Sequence, residues 1–295
     1  MKKLDYYILD VFSGEKYKGN PLSVVLLDEE LELFQFQNIA REFGYSETSF
    51  VKYSAIDKAY KVRSFTPAGI EVGGAGHNLL GAVCFALLKG WDIFNGQNEE
   101  QFVIMADEKI PIVISYDETG VPFVSMRQRT AIMEKKVPAE IVANAIGLEP
   151  EDIAIKDWEP TVVRTEVAHL MVPVKDTTAL NQAMVNKTLL DKAAGQFGFE
   201  GCYLFTIASE AKDYVAESRF FNPGIGIDED AATGSAAGPL AGYLFNHNYI
   251  VTGKDYMILQ GVKMGQPSTI HVKTTDNGIW ISGTAVIVME GQLYL

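Results

Sequence analysis

The strongest constraint on this chain is that it repeats itself. Residues 39–50 read IAREFGYSETSF and residues 193–205 read AAGQFGFEGCYLF, so Phe43-Gly44-Tyr45 matches Phe197-Gly198-Phe199 at an offset of about 154. Arg63-Ser64-Phe65-Thr66-Pro67 then matches Arg219-Phe220-Phe221-Asn222-Pro223 at about 156. Each is followed by a polar, small-residue turn and a helix of small and apolar residues, from Gly76 towards Lys89 and from Gly234 towards Asn246, at about 158. Phe102–Met105, before Lys109-Ile110-Pro111, echoes Tyr256–Leu259, before Lys263-Met264 and Pro267. Matches in one order at a nearly constant offset point to a duplicated fold.

Each half reads as strands, a helix, further strands, a buried helix and closing strands. Tyr6–Phe12, Leu22–Leu27 and Tyr60–Phe65 have strand character, as do Phe102–Met105, Ile110–Ser115 and Phe123–Met126. Leu31–Phe43 has helical spacing, with Leu31, Phe34, Ile39 and Phe43 expected on a broad apolar face. His77–Leu88 is apolar nearly all round, which predicts a helix wrapped by the strands of its own half, and Pro239–Phe245 repeats the pattern. The second half is expected to begin near Thr130, with helices at Ala139–Ile146 and Asn181–Phe197. Its strands are expected at Gly201–Ala208, Tyr214–Phe221, Tyr256–Gln260, Ser268–Lys273 and Ile279–Gly283. Ala285–Leu295 is strand-like without a counterpart in the first half, so it is expected to cross back to the first domain.

Composition removes several function classes. The chain has 295 residues, enough for two domains, and its 47% apolar content supports a sizeable core. A net charge of −13 opposes general nucleic-acid binding. The two cysteines, Cys84 and Cys202, form no Cys-x-x-Cys pair, which argues against a disulfide framework or a zinc site. His169, His247 and His271 lack metal-ligand spacing and read as structural or surface residues. No segment reads as a signal peptide or a membrane span, so the expected compartment is the cytoplasm.

Chemistry is concentrated at the starts of the two apolar helices, Gly73-Gly74-Ala75-Gly76-His77-Asn78 and Ala231-Ala232-Thr233-Gly234-Ser235-Ala236. Small residues admit a ligand close to the backbone, and helix N-termini favour carboxylate or phosphate; ordinary tight turns fit the same pattern. If the halves are related by a pseudo-twofold, both starts can face one cleft. Neither turn is a P-loop, and Gly-x-Gly-x-x-Gly is absent after a strand, so no nucleotide cofactor is signalled. Glu47, in Ser46-Glu47-Thr48-Ser49-Phe50, fits a desolvated general base or a solvated surface glutamate. Its counterpart is Gly201, so the fold does not demand the acid. His77 opens its helix as a neutral proton carrier or a structural residue. Among Asp228, Glu229 and Asp230, sequence physics does not choose.

These motifs resemble the PhzF-like family of phenazine-biosynthesis isomerases, which share the diaminopimelate-epimerase fold. The carriers are Asp10-Val11-Phe12…Gly19-Asn20-Pro21, Ser46-Glu47-Thr48-Ser49-Phe50, Phe65-Thr66-Pro67…Glu71-Val72 with Gly76-His77, Pro223-Gly224…Glu229-Asp230-Ala231-Ala232-Thr233-Gly234-Ser235-Ala236 and Gln260-Gly261-Val262-Lys263-Met264-Gly265-Gln266-Pro267-Ser268.

The resemblance implies an α+β protein of two pseudo-twofold-related, diaminopimelate-epimerase-like domains, each a curved, mostly antiparallel sheet or barrel around a central helix. The domains expected are residues 1–127 with 285–295, and residues 128–284. The implied catalytic residues are Glu47, His77 and Asp230, and the implied substrate contacts are Ser46, Gly76, Asn78, Gly234 and Ser235. The implied activity moves a proton on a small carboxylic acid by acid/base chemistry, with no cofactor and no metal. A homodimer is also implied, with neither nucleic acid nor membrane as partner. The stretch Gly73-Gly74-Ala75 stands where the family often has Asp-Leu-Cys, and Asp230-Ala231-Ala232 where it has Asp-Pro-Ala. The two opposed cysteines of related epimerases fall near Ala75 and Ala231, which disfavours a two-thiol racemase. An epimerase using glutamate in place of thiols and a non-catalytic metabolite-binding protein are the alternative readings.

Overall fold

The computed structural model describes residues 2–74, 76–91 and 99–295. The first stretch of chain forms strands β1 (Lys3–Val11) and β2 (Asn20–Leu26), helix α1 (Leu33–Phe43), then β3 (Thr48–Ser54), β4 (Ala59–Phe65) and β5 (Glu71–Val72). Helix α2 (His77–Leu88) follows, with β6 (Glu100–Met105), β7 (Glu108–Tyr116) and β8 (Pro122–Gln128). Next come β9 (Ile132–Lys136), α3 (Ala139–Ile146), β10 (Thr161–Arg164), β11 (Ala168–Pro173), α4 (Thr177–Gln182) and α5 (Lys187–Phe197). Then β12 (Gly201–Ile207), β13 (Ala216–Asn222) and β14 (Ile227–Asp230) lead to α6 (Gly234–Asn246). The chain closes with β15 (Tyr256–Gln260), β16 (Ser268–Thr275), β17 (Gly278–Gly283) and β18 (Ala285–Tyr294).

Two compact units result, Met1–Arg127 with Ser282–Leu295, and Gln128–Ile281. In the first, β1 pairs antiparallel with β2 and with β18, the latter from Lys3↔Tyr294 to Val11↔Ala285. The last strand is thus held by backbone hydrogen bonds to the first. Strand β2 runs parallel to β3 across the α1 connection, and β4 runs parallel to β6 across the α2 connection. The second unit repeats this plan: β11 is parallel to β12 across α4 and α5, and β13 is parallel to β15 across α6.

The repeat extends to register. Ser64↔Val72 in the first unit corresponds to Phe220↔Asp230 in the second, and Val62↔Met105 to Ser218↔Gln260. Leu27 N–H donates to Val51 O at 3.0 Å, as Val174 N–H donates to Phe205 O at 2.8 Å. An arginine–glutamate fork recurs too: Arg63 Nε and Nη2 donate to Glu71, and Arg219 Nε and Nη2 to Glu229. The difference lies in what covers each arginine. Glu30 accepts from Arg63 Nη1, whereas the carbonyls of Leu180 and Ala183, at the end of α4, accept from Arg219 Nη1.

Helices α2 and α6 are the cores of their units. Every residue of α2 from His77 to Ala86 is buried, against β1, β2, β3, β4 and β18. A helix apolar on every face cannot hold a surface position, so the strands enclose it. Gly81 allows the closest approach: a Cβ there would lie 2.5 Å from Leu22 Cδ2 and 2.7 Å from Val11 Cγ2. In α6, Gly234 and Ala236–Leu244 are buried, against β9 to β12 and β16.

Two expectations are corrected. Phe34 was expected on the buried face of α1 but is exposed. The helix starts at Leu33 behind a Glu32 capping box, so Phe36 and Ala40 form its buried i, i+4 stripe. Phe36 packs on Phe50 and Phe65, with ring centroids 4.8 and 5.2 Å away. The single helix expected over Asn181–Phe197 is two, because Ala183 is extended and Asn186 caps α5 by accepting from Leu189 N–H at 3.1 Å.

Candidate active-site groups in each unit

The first cluster is built around the start of α2. Asn78 Oδ1 accepts from the N–H groups of Gly76 and Leu79, both at 2.8 Å, and its Nδ2 donates to Gly74 O at 3.1 Å. The Asn78 side chain therefore shapes the turn. Its carbonyl accepts from Ser49 Oγ at 3.1 Å, and Ser49 is hydrogen-bonded to Ser64 at 2.8 Å, so β3 and β4 pin the helix start. Ala75, where the family's loop differs, lies outside the described residues.

His77 projects from this pinned turn and is 4% exposed. Its Nε2 is 3.4 Å from Ser46 Oγ, and its Nδ1 is 3.7 Å from Glu47 Oε2. Ser46 Oγ also donates to Asn20 Oδ1 at 3.4 Å. Burial pulls the His77 pKa down to about 3, so the ring is neutral at neutral pH. A neutral ring has one N–H. On Nε2 it donates to Ser46 Oγ, whose own proton goes to Asn20 Oδ1; on Nδ1 it faces the Glu47 carboxyl, and Ser46 then turns its one proton to Nε2 instead of Asn20.

Glu47 is buried at the head of β3, at 8% exposure. In the second unit the corresponding residue is Gly201, where an added Cβ would lie 2.2 Å from Phe220 Cζ. The carboxylate thus occurs in one half and is sterically barred from the other.

The second cluster lies at the start of α6, where the structure separates the three acids. Asp228 pairs with Lys187 at 2.6 Å on the surface, and Glu229 is forked to Arg219. Asp230 is buried, and its Oδ2 accepts from Thr233 Oγ1 at 2.7 Å. Gly234 O accepts from Gln128 Nε2 at 2.9 Å, and Ser235 is half-buried in the first turn of α6. Gln260 and Thr233, which sequence reading did not single out as site residues, lie in direct hydrogen-bond contact with the Asp230 segment. The signal for Gln260 was a polar residue ending the apolar strand Tyr-Met-Ile-Leu-Gln.

Cys84 and Cys202 are buried, and burial pushes both thiols up, the opposite of what a nucleophile or proton-transferring thiol needs. Ala231 is buried as well. No group of three or more His, Cys, Asp or Glu with metal-binding geometry occurs among the described residues. No helix among them is long and apolar enough to cross a membrane.

The model of the phenazine biosynthesis-like protein family matches residues 9–291. The chain belongs to that family. It is 31% identical to the trans-2,3-dihydro-3-hydroxyanthranilate isomerase of Pseudomonas aeruginosa, over 98% of this chain and 99% of the relative. The crystal structure of a PhzF-family phenazine biosynthesis protein from Bacillus anthracis superposes with a TM-score of 0.88, covers 100% of both chains and is 24% identical. A probable proline racemase from Agrobacterium radiobacter, 10% identical, superposes at 0.68 over 99% of this chain and 93% of its own. This family member is an isomerase with the mixed α+β, epimerase-like fold.

Proposed function

We propose that this isomerase moves a proton on a small carboxylic acid by acid/base catalysis from its own side chains, without a cofactor. The observation that carries the reading is the buried Glu47 carboxyl, 3.7 Å from a histidine that burial keeps neutral. Glu47, as carboxylate, takes a proton from an activated carbon and returns it to another carbon of the conjugated system. His77 orients the substrate and relays a proton, held between Ser46 and Glu47. Asp230 binds a substrate amine or hydroxyl, an acceptor role suited to a carboxylate. The first-turn amides of α2 and α6, at Asn78, Gly234 and Ser235, and the Ser46 hydroxyl hold substrate carboxylate, because helix N-termini favour negative charge. The Gly76 N–H is taken by Asn78 Oδ1, so Gly76 serves by letting substrate approach the backbone.

The P. aeruginosa relative's substrate, trans-2,3-dihydro-3-hydroxyanthranilate, has the carboxylate, amine, hydroxyl and conjugated system this site would use, and is the first compound to test. The reading includes a cytoplasmic homodimer, tested by light scattering for a particle of twice the chain mass.

The deciding experiment follows deuterium from solvent into this compound. Wild type incorporates it, whereas Glu47→Gln folds normally and loses about 10²–10⁴-fold in rate, the usual contribution of a placed acid/base group. Undiminished exchange in Glu47→Gln rejects the assigned base. Binding without exchange in wild type favours a metabolite-binding protein, and inversion at one carbon favours an epimerase.

A further inference from the structure

The second unit contains an unbroken chain of buried hydrogen bonds that ends on the Asp230 carboxylate. Ser218 Oγ donates to Tyr203 Oη at 2.9 Å, and Tyr203 Oη donates to Gln260 Oε1 at 2.7 Å. Thr233 N–H donates to the same Oε1 at 3.1 Å. Gln260 Nε2 donates to Asp230 O at 2.8 Å and to Thr233 Oγ1 at 3.0 Å. Thr233 Oγ1 donates to Asp230 Oδ2 at 2.7 Å.

The partners settle the direction of each bond at Gln260 and Thr233, while Ser218 Oγ has a second acceptor in Leu259 O at 3.2 Å. The amide atom facing the Thr233 N–H, which only donates, is oxygen. The one facing the Asp230 carbonyl, which only accepts, is nitrogen. Both donors and both lone pairs of the Gln260 amide are then used, so the group has one orientation. Because Thr233 Oγ1 accepts from that nitrogen, its own proton is directed at Asp230 Oδ2. Gln260 is 0% exposed and thus removed from solvent exchange of these bonds.

The fold does not require this chain. At the matching register positions the first unit has Val62 for Ser218, Met105 for Gln260 and Val72 for Asp230. Met105 and Val62 are buried there. One backbone plan therefore carries apolar side chains at these three positions in one half and members of a buried polar network in the other.

We infer that Gln260 and Thr233 are positioning residues that hold the Asp230 carboxylate in one orientation, as an acceptor, for the isomerisation. The inference rests on the proposal that Asp230 contacts substrate.

The test uses the full chain with trans-2,3-dihydro-3-hydroxyanthranilate as probe, comparing Thr233→Val, Thr233→Ser, Gln260→Met and Asp230→Asn. Thr233→Val removes the donor at nearly constant shape, and Gln260→Met installs the side chain of the first unit. Both are expected to lower kcat about 10- to 100-fold, the loss of a hydrogen bond to a charged group. Thr233→Ser, which keeps the donor, is expected to stay within about threefold of wild type. Crystal structures of Thr233→Val and Gln260→Met should show the Asp230 carboxylate rotated.

If Asp230→Asn loses activity while Thr233→Val and Gln260→Met both keep kcat within about twofold, the positioning role is rejected. If Asp230→Asn itself turns over like wild type, the assignment of Asp230 to the site falls instead. Should wild type not turn over the probe, an unmoved carboxylate in both variant structures still rejects the inference.

Discussion

His169 gives a stability prediction whose size follows from its surroundings. It lies on β11 at 2% exposure, with Phe220 edge-on at 5.2 Å. Its Nδ1 accepts from Gly201 N–H at 3.1 Å, so the ring proton is on Nε2, which finds no hydrogen-bond partner among the described residues. Burial pulls its pKa from 6.5 down to about 3. The unfolded chain binds a proton at this side chain below about pH 6.5, and the native chain does not until about pH 3, so stability falls as pH falls through that window. Between pH 7 and pH 5 this one side chain costs about 2 kcal/mol of unfolding free energy. The assay is urea unfolding at both pH values for wild type and His169→Gln, followed by tryptophan fluorescence and circular dichroism. The decline from pH 7 to pH 5 should be smaller in the variant by about 2 kcal/mol. Any packing loss common to both pH values cancels in that difference. Equal declines in the two proteins would refute a buried, neutral His169.

The two arginine forks should differ in worth. Arg219→Met strands Glu229 and the carbonyls of Leu180 and Ala183 in a buried setting and should cost about 3–5 kcal/mol, whereas Arg63→Met, on a half-exposed fork, should cost about 1 kcal/mol or less by denaturant titration. Gly201→Ala drives a methyl into the Phe220 ring and should cost about 1–3 kcal/mol, and wild-type stability in that variant would contradict the packing described. Neither Cys84 nor Cys202 should react with iodoacetamide in the native protein at pH 8, because both thiols are buried and pushed up; labelling at the rate of the urea-unfolded chain would contradict this.

Properties carried by short runs of side chains were legible in the sequence. The apolar circumference of His77–Leu88 required strands around it, and its echo in Pro239–Phe245 required a second such unit. The Glu47/Gly201 contrast was visible as a residue present in one copy of the repeat and missing in the other. Which of Asp228, Glu229 and Asp230 is buried was not legible from side-chain chemistry, because adjacent carboxylates have the same intrinsic chemistry and differ only in their neighbours. Those neighbours come from other elements: Lys187 of α5 for Asp228, Arg219 of the adjacent strand β13 for Glu229, and Gln260 of β15 for the Asp230 segment. The break at Ala183–Asn186 escaped because it rests on one capping side chain within an otherwise helical spacing. Phe34 escaped for a related reason, since the helix start at Leu33 decides which stripe turns inward.

By itself, the chain's periodicity determined a doubled order of strands and helices with two buried helices, because apolar surface must be covered wherever it falls. Only tertiary structure decided which polar groups lost water and which partners they gained in exchange. Desolvation and hydrogen bonding depend on the atoms that surround a group in space, and those atoms are set by the fold.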